Sequence, residues 1–273
     1  MAKIQELKAE SNLVARNISN NTLSSWHVSR SHLYWGQNET HLLDQKDPPL
    51  ASNISNAIHN LQSLSDQQNV GITDANQAVN NLDQLLDTAQ LEIVGSEDQH
   101  NATIQALALV GVLNEALRDY GTAIGSKVDL TNMNNMNMSA VSGSSSGGSM
   151  PGMHVASRSV PIVNMAAYQS AQAFAGDAQE MFNNLKSIAP SSTSVYLDKA
   201  GTALNQLNQQ ISSKDSGNEV MLTVHMHIHP NLISAFNISA VPEFPAPVLL
   251  AMISFFGVIV FSRVFYRTWI QRI

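Results

Sequence analysis

Nineteen consecutive residues carry no charge from Phe244 to Ser262 (FPAPVLLAMISFFGVIVFS), and no other feature restricts the architecture of this chain as much. As an α-helix the run spans about 28 Å, close to the ~30 Å hydrocarbon core of a bilayer. Pro245 and Pro247 fall in its first turn, where a missing N–H is tolerated. Arg263, Arg267 and Arg272 follow it, with Tyr266 and Trp269 among them, and Glu243 precedes it. Basic residues and interfacial aromatics at one end are the flank expected on the cytoplasmic side. A buried core helix would explain neither the length nor the flanks. The run reads as a transmembrane helix over 244–262 with a basic cytoplasmic tail over 263–273, which places residues 1–243 outside the cytoplasm.

The charge distribution agrees. All 21 acidic residues and 11 of the 14 basic residues precede Phe244, so that part stands at −10 and the tail at +3. An acidic, Asn-rich surface without a basic stripe does not suit nucleic acid, whose affinity comes mainly from Lys and Arg on phosphates. The absence of cysteine excludes disulfides, thiolate nucleophiles and Cys-ligated metal centres. External placement calls for an export signal, yet the opening MAKIQELKAESNLVARN has no apolar h-region. Either a signal sequence precedes Met1, or the chain is tail-anchored with its bulk in the cytoplasm. Asn17, Asn20, Asn38, Asn53, Asn101, Asn137 and Asn237 each open an N-x-S/T triplet and are the glycosylation candidates. They favour the external reading.

Helical periodicity recurs along the outer region. Ala15, Ile18, Trp26 and Leu33 hint at a first helix, the least regular of the set, with Tyr34 and Trp35 as its packing or capping residues. Asp47-Pro48-Pro49 marks a break and a helix start, and Leu50, Ile54, Ala57, Leu61 and Leu64 line one face after it. Thr73 or Asp74 can cap the next helix, whose stripe is Ala75, Val79, Leu82, Leu86, Ala89 and Ile93, ended by Gly95. Ala106, Val110, Leu113, Leu117, Tyr120 and Ile124 form another stripe, stopped by Gly125. Two more stripes follow a gap: Ala167, Ala171, Phe174, Ala178, Met181, Leu185 and Ile188, then Leu197, Ala200, Leu204, Leu207 and Ile211. The gap, 126–161, is rich in Ser, Gly, Asn and Met and reads as a flexible linker. It is long enough for the last two helices either to dock on the first ones or to stand as a separate hairpin.

The expected fold is all-α. An antiparallel helical bundle over 1–125 is completed by a helical hairpin over 162–214. A His-rich extended stalk over 215–243 then leads to the membrane helix. Within that stalk Val220, Leu222, Val224, Met226 and Ile228 alternate with Met221, Thr223, His225, His227 and His229, the period of a strand.

A strand would point all three imidazoles of His225, His227 and His229 to one face, about 6.5–7 Å apart, close enough to share Cu(II), Ni(II) or Zn. The competing reading is a solvated strand face that happens to be His. Met133, Met136, Met138, Met150, Met153 and His154 occupy the linker at M-x-x-M, M-x-M and M-x-x-M-H spacings. They supply thioethers without thiols, a set that selects Cu(I), and exposed Met in a Gly/Ser stretch has no core to fill. Low-complexity drift is the competing reading there. His27, His32, His41 and His59 read as structural or solvated, and Asp83, Asp87 and Glu92 as solvated acids. The chain carries no G-x-S-x-G, P-loop, dinucleotide fingerprint or HExxH, which argues against an enzyme.

Two resemblances follow from these residues. Pro242-Glu243-Phe244-Pro245, an apolar helix and then Arg resembles the PEF-type C-terminal sorting signals of archaeal surface proteins, read by archaeosortase-like enzymes; Pro245 stands where the usual form has Gly. The resemblance implies a sorting enzyme as partner and a helix that is a processing signal as well as an anchor. Residues from about 40 to 190 resemble the helical extracytoplasmic domain found beside FTR1-type iron permeases. That likeness rests on Asp47-Pro48-Pro49-Leu50, Leu82-Asp83-Gln84-Leu85-Leu86, and Ile162-Val163-Asn164 leading into Ala167-Tyr168-Gln169-Ser170-Ala171. It implies a bundle, metal handling and a membrane transporter as partner, while the R-E-x-x-E transport motif is absent. The leading expectation is a non-enzymatic, membrane-anchored surface protein that binds or buffers transition metal, copper first. The alternatives are a structural or interaction glycoprotein of the envelope and an accessory ectodomain of a metal transporter.

Overall fold

Asn20, Asp47, Asn101 and Asn164 each stand just ahead of a helix, and each becomes its N-cap: the side-chain oxygen accepts from a backbone N–H two or three residues on. The computed structural model describes residues 1–36, 38–67, 69–135 and 159–238. Among them the helices are α1 (Ala2–Arg16), α2 (Asn21–Trp35), α3 (Asn38–Lys46), α4 (Pro48–Asp66), α5 (Ile72–Val94), α6 (Ala102–Ala123), α7 (Met165–Ile188), α8 (Ser194–Ser213), α9 (Gly217–Leu222) and α10 (His229–Phe236). A π-helical segment, Thr223–Ile228, joins the last two. Among the described residues no helix is long and apolar enough to cross a membrane, and the run over 244–262 lies outside them. So do Met136, Asn137, Met138, Met150, Met153, His154 and the Pro242, Glu243, Phe244 and Pro245 motif.

One apolar cluster runs through the helices from α1 to α10, so the hairpin after the Met-rich stretch completes the bundle. α6 and α7 form its most extensive pair. Ala167, Ala171, Ala175 and Ala178 of α7 are buried, and such small side chains let helix backbones approach closely. Phe174 and Tyr120 fill the larger spaces. Gly201 on α8 has a specific reason: a Cβ there would sit 2.9 Å from Cε1 of Phe182, itself buried. Gly201→Val is therefore expected to lower stability by about 1–3 kcal/mol through overpacking. An unchanged urea midpoint would show that the α7–α8 contact yields freely.

Two expectations are corrected. The single early helix is two, α1 and α2, broken over Asn17–Asn20, and α1 packs against α2, α5, α6 and α7. Its stripe is hard to see because Glu6 and Glu10 share the buried face with Ile4, Leu7 and Val14. The strand over 219–230, and with it the extended stalk, is helical from Gly217 to Phe236. Alternation by two contains alternation by four, and Val220, Val224, Ile228 and Leu232 are all buried. A four-residue repeat lies between the α period of 3.6 and the wider turn of an i→i+5 segment, so a π turn keeps all four on one face. Ser216 and Glu219 form a capping box that starts this helix. Pro230 sits just beyond the π segment, which absorbs the hydrogen bond that proline cannot donate.

Candidate functional site

α8 ends at Lys214 in the left-handed conformation, and the capping box turns the chain back along α8. With Val220, Val224 and Ile228 facing the core, His225 and His229 lie one step round the same helix. Both are nearly enclosed, 4% and 8% exposed, with ring centroids 5.3 Å apart and edge to face. The Nε2 of His225 is 3.0 Å from the Leu130 carbonyl oxygen, which can only accept. The proton is therefore on Nε2 and the lone pair on Nδ1. The Nε2 of His229 is buried and has no hydrogen-bond partner. Burial pushes both imidazoles below their usual range, His229 to about 3 with His225 adding to the effect. Both rings are thus neutral, the ligand form. His227 is exposed beside Met226. The expected row of three is a buried pair plus one outward ring, because a helical turn rather than a strand carries them.

Leu130 ties this pair to the Met-rich stretch. It is buried against Gly121 and Gly217, and Ser126 N–H donates to the Gly121 carbonyl, so the chain is held to the bundle at both ends of 126–130. The chain continues to Met133, 54% exposed in a short 3₁₀ turn. After the undescribed stretch it returns with Val160 N–H donating to the Lys214 carbonyl and Val163 N–H to that of Ala123. Both ends of the Met-rich stretch are therefore fastened at the end of the bundle where α9 begins. Among the described residues no group of three or more His, Asp or Glu is placed to hold a metal ion, so a site here needs ligands beyond those types.

A second polar cluster, missed in the sequence, lies inside the bundle. Glu10 of α1 accepts from Ser170 Oγ at 2.8 Å and faces His27 Nδ1 at 2.6 Å. The other ring nitrogen of His27 faces Gln169 Oε1 at 3.1 Å, and Gln169 pairs with Asn17. Arg30 of α2 grips both Asp119 oxygens at 3.0 and 2.8 Å and lies 3.6 Å from Glu10 and 3.7 Å from Glu115. Lys3 bridges Glu6 and Glu115 at 2.7 and 3.1 Å, and Arg118 also pairs with Glu115. Burial raises Glu6 to about 7, and burial with Glu10 and Glu115 nearby raises Asp119 to about 7. At Glu115 burial pulls upward, but Lys3 and Arg118 outweigh it and hold the group below its ordinary value. The carboxylates already bond to Lys, Arg, His and Ser, which makes this a network that fixes helix register rather than an open ligand set. The readable signal was the i, i+4 spacing of Glu6 with Glu10 and of Glu115 with Asp119.

A polar cleft of about 870 Å³ runs between α1, α5 and α7, with Lys8, Asp83, Gly176, Asp177 and Glu180 in its walls. Burial, then Glu180 and Asp83, raise Asp177 to about 7. The described glycosylation candidates differ in access. Asn53 is exposed, Asn20 and Asn101 are exposed caps, and Asn237 is exposed in the left-handed conformation. Asn17 is 7% exposed with its amide donating to the Leu13 carbonyl and Gln169, so it is corrected out of the set that a glycan can reach. Asn38 opens α3. No protein-family model, no curated protein and no solved structure matches the chain, so the neutral His225–His229 pair and its link to the Met-rich stretch are the ground for a functional reading.

Proposed function

We propose that this chain is a membrane-anchored, cell-surface helical bundle that binds transition metal, copper before others, without catalysing a reaction. One observation carries the reading: two neutral, enclosed imidazoles 5.3 Å apart, one with an unpartnered Nε2. A buried polar atom without a partner costs about 1–3 kcal/mol, and a bound ion would relieve that cost. Imidazole with thioether is a soft set that favours Cu(I). The stretch beginning at Met133 is the source of thioethers, and His225 is hydrogen-bonded to the segment that leads into it. The anchor over 244–262 would hold the bundle outside the membrane, where a sorting enzyme could process the Pro242–Pro245 motif and a metal transporter would be the partner.

The test is competition for Cu(I) between a chromophoric chelator and the full chain in detergent micelles under reducing conditions. The expected result is near-stoichiometric Cu(I) that His225→Leu/His229→Leu weakens at least about tenfold, with helix content retained. His227→Ala should bind as the parent does. Replacing Met133, Met136 and Met138 together should weaken Cu(I) more than Cu(II). Unchanged Cu(I) binding in the double His variant would overturn the reading.

A further inference from the structure

A different pair of histidines, read from the sequence as structural or solvated, is brought together on the outside of the bundle. α2 and α4 run antiparallel, and hydrogen bonds clamp their seam on both sides. Trp35 Nε1 donates to Ser55 Oγ at 2.9 Å, and Ser24 Oγ shares a hydrogen bond with Ser65 Oγ at 2.8 Å. Between these clamps His32 of α2 meets His59 of α4, with ring centroids 5.0 Å apart and planes at 54°. His32 is half-buried and His59 is exposed, so an ion from solvent can reach both.

The tautomer of His32 is set. Its Nε2 lies 3.0 Å from Gln62 Oε1, one turn along α4 from His59. An amide oxygen only accepts, so Nε2 carries the proton and Nδ1 keeps its lone pair. A ligating His commonly donates its other N–H to such an outer oxygen, which fixes ring orientation and strengthens the ligand. The His59 ring makes no hydrogen bond among the described residues, so no other bond competes for its nitrogens. With metal–nitrogen bonds of 2.0–2.1 Å, two imidazoles on one ion have centroids at most roughly 6.5 Å apart. The observed separation is inside that limit.

We infer that His32 and His59 form a surface bis-imidazole site for a borderline divalent cation, Cu(II), Ni(II) or Zn(II), that staples α2 to α4. Two protein ligands leave the remaining coordination positions to water. The site has no thioether and lies on other helices than the buried His225–His229 pair, so it is independent of that pair. Because the seam is already clamped, little ordering is needed on binding. An ion that binds the folded seam and not the separated helices raises the unfolding temperature by mass action.

The experiment uses the full chain in detergent micelles, titrated in turn with copper(II), nickel(II) and zinc(II) salts. Binding is read by calorimetry, by the metal-induced rise in unfolding temperature, and for Cu(II) by the nitrogen hyperfine pattern in electron paramagnetic resonance. The parent and His225→Leu/His229→Leu should both show the temperature rise and a two-nitrogen Cu(II) signal. His32→Ala and His59→Ala should each lose the rise, lose one nitrogen and bind at least about tenfold more weakly. Gln62→Ala should bind a few-fold more weakly with both nitrogens retained. Cu(II) affinity and temperature rise within about twofold of the parent in both single His variants would overturn the site. So would their loss in His225→Leu/His229→Leu alone, which would assign the binding to the buried pair.

Discussion

Arg30→Met is expected to destabilise the bundle by about 3–5 kcal/mol at neutral pH, the usual cost of leaving buried charges uncompensated. The guanidinium is the shared partner of Asp119, Glu10 and Glu115, each nearly buried. Methionine fills similar space but donates nothing. Whole domains are stable by about 5–15 kcal/mol, so the variant should sit close to unfolding. The loss is electrostatic and should shrink on acidification, because Asp119 already takes its proton at about 7 with Arg30 present. Urea unfolding followed by circular dichroism at pH 5.5 and pH 8 is the measurement. A loss below about 1 kcal/mol at both pH values would show that the network does not bear on stability. Arg30→Lys should fall between, since a single ammonium cannot grip both Asp119 oxygens as the fork does.

The second large effect is a fall in stability as pH rises from about 4.5 to about 7. Glu6, Asp119 and Asp177 are raised to about 7 from ordinary values of 4.5, 3.8 and 3.8. Once pH exceeds the ordinary values, the unfolded chain has released these protons and the folded chain still holds them. Stability therefore drops as pH rises, until the folded groups have titrated near 7. A tenfold difference in proton affinity between the folded and unfolded chain is worth about 1.4 kcal/mol, so each of the three groups weighs on stability by a few kcal/mol at most. His225 and His229 act on the other side. Their folded values lie below the ordinary 6.5, so the unfolded chain takes up protons that the folded chain refuses, and stability falls as pH drops below 6.5. Glu115, held below its ordinary 4.5, adds to that acid-side loss. The melting temperature should peak in the weakly acidic range. Glu6→Gln should flatten the alkaline limb, and His229→Leu the acid one. A melting temperature that climbs from pH 6 to pH 8 would refute this account.

Local chemistry makes much of the fold readable. The Asp47 cap with Pro48 and Pro49 starts α4 at the break those residues mark, Gly95 ends α5, and most residues of the stripes of α4, α5, α6, α7 and α8 are buried, while Ile188 at the end of the α7 stripe is exposed. α5 starts slightly earlier than its capping residues suggest, at Ile72 with Gly71 as its N-cap, ahead of Thr73 and Asp74. α1 is not readable, because pattern reading treats a carboxylate as a surface residue. Glu6 and Glu10 face inward only because Lys3, Arg30, His27 and Ser170, on their own and other helices, meet them there.

The His segment shows the same division. Its residue types and the start at Ser216 and Glu219 are in the sequence, but a repeat of four is contained in a repeat of two. Neighbouring residues alone could not choose between strand and helix. Packing against α8 and α6 chose the helix, separated His227 from His225 and His229, and brought Leu130 against the pair. His32 and His59 likewise are unremarkable in sequence, and only the antiparallel register of α2 and α4 makes them neighbours. By itself the sequence determined which segments have a face to bury and where most helices begin and end, because caps, prolines and apolar spacing act within a turn or two. Which polar side chains are enclosed, and which imidazoles meet, was decided by the tertiary structure, because those partners lie on other helices and meet only when the core forms.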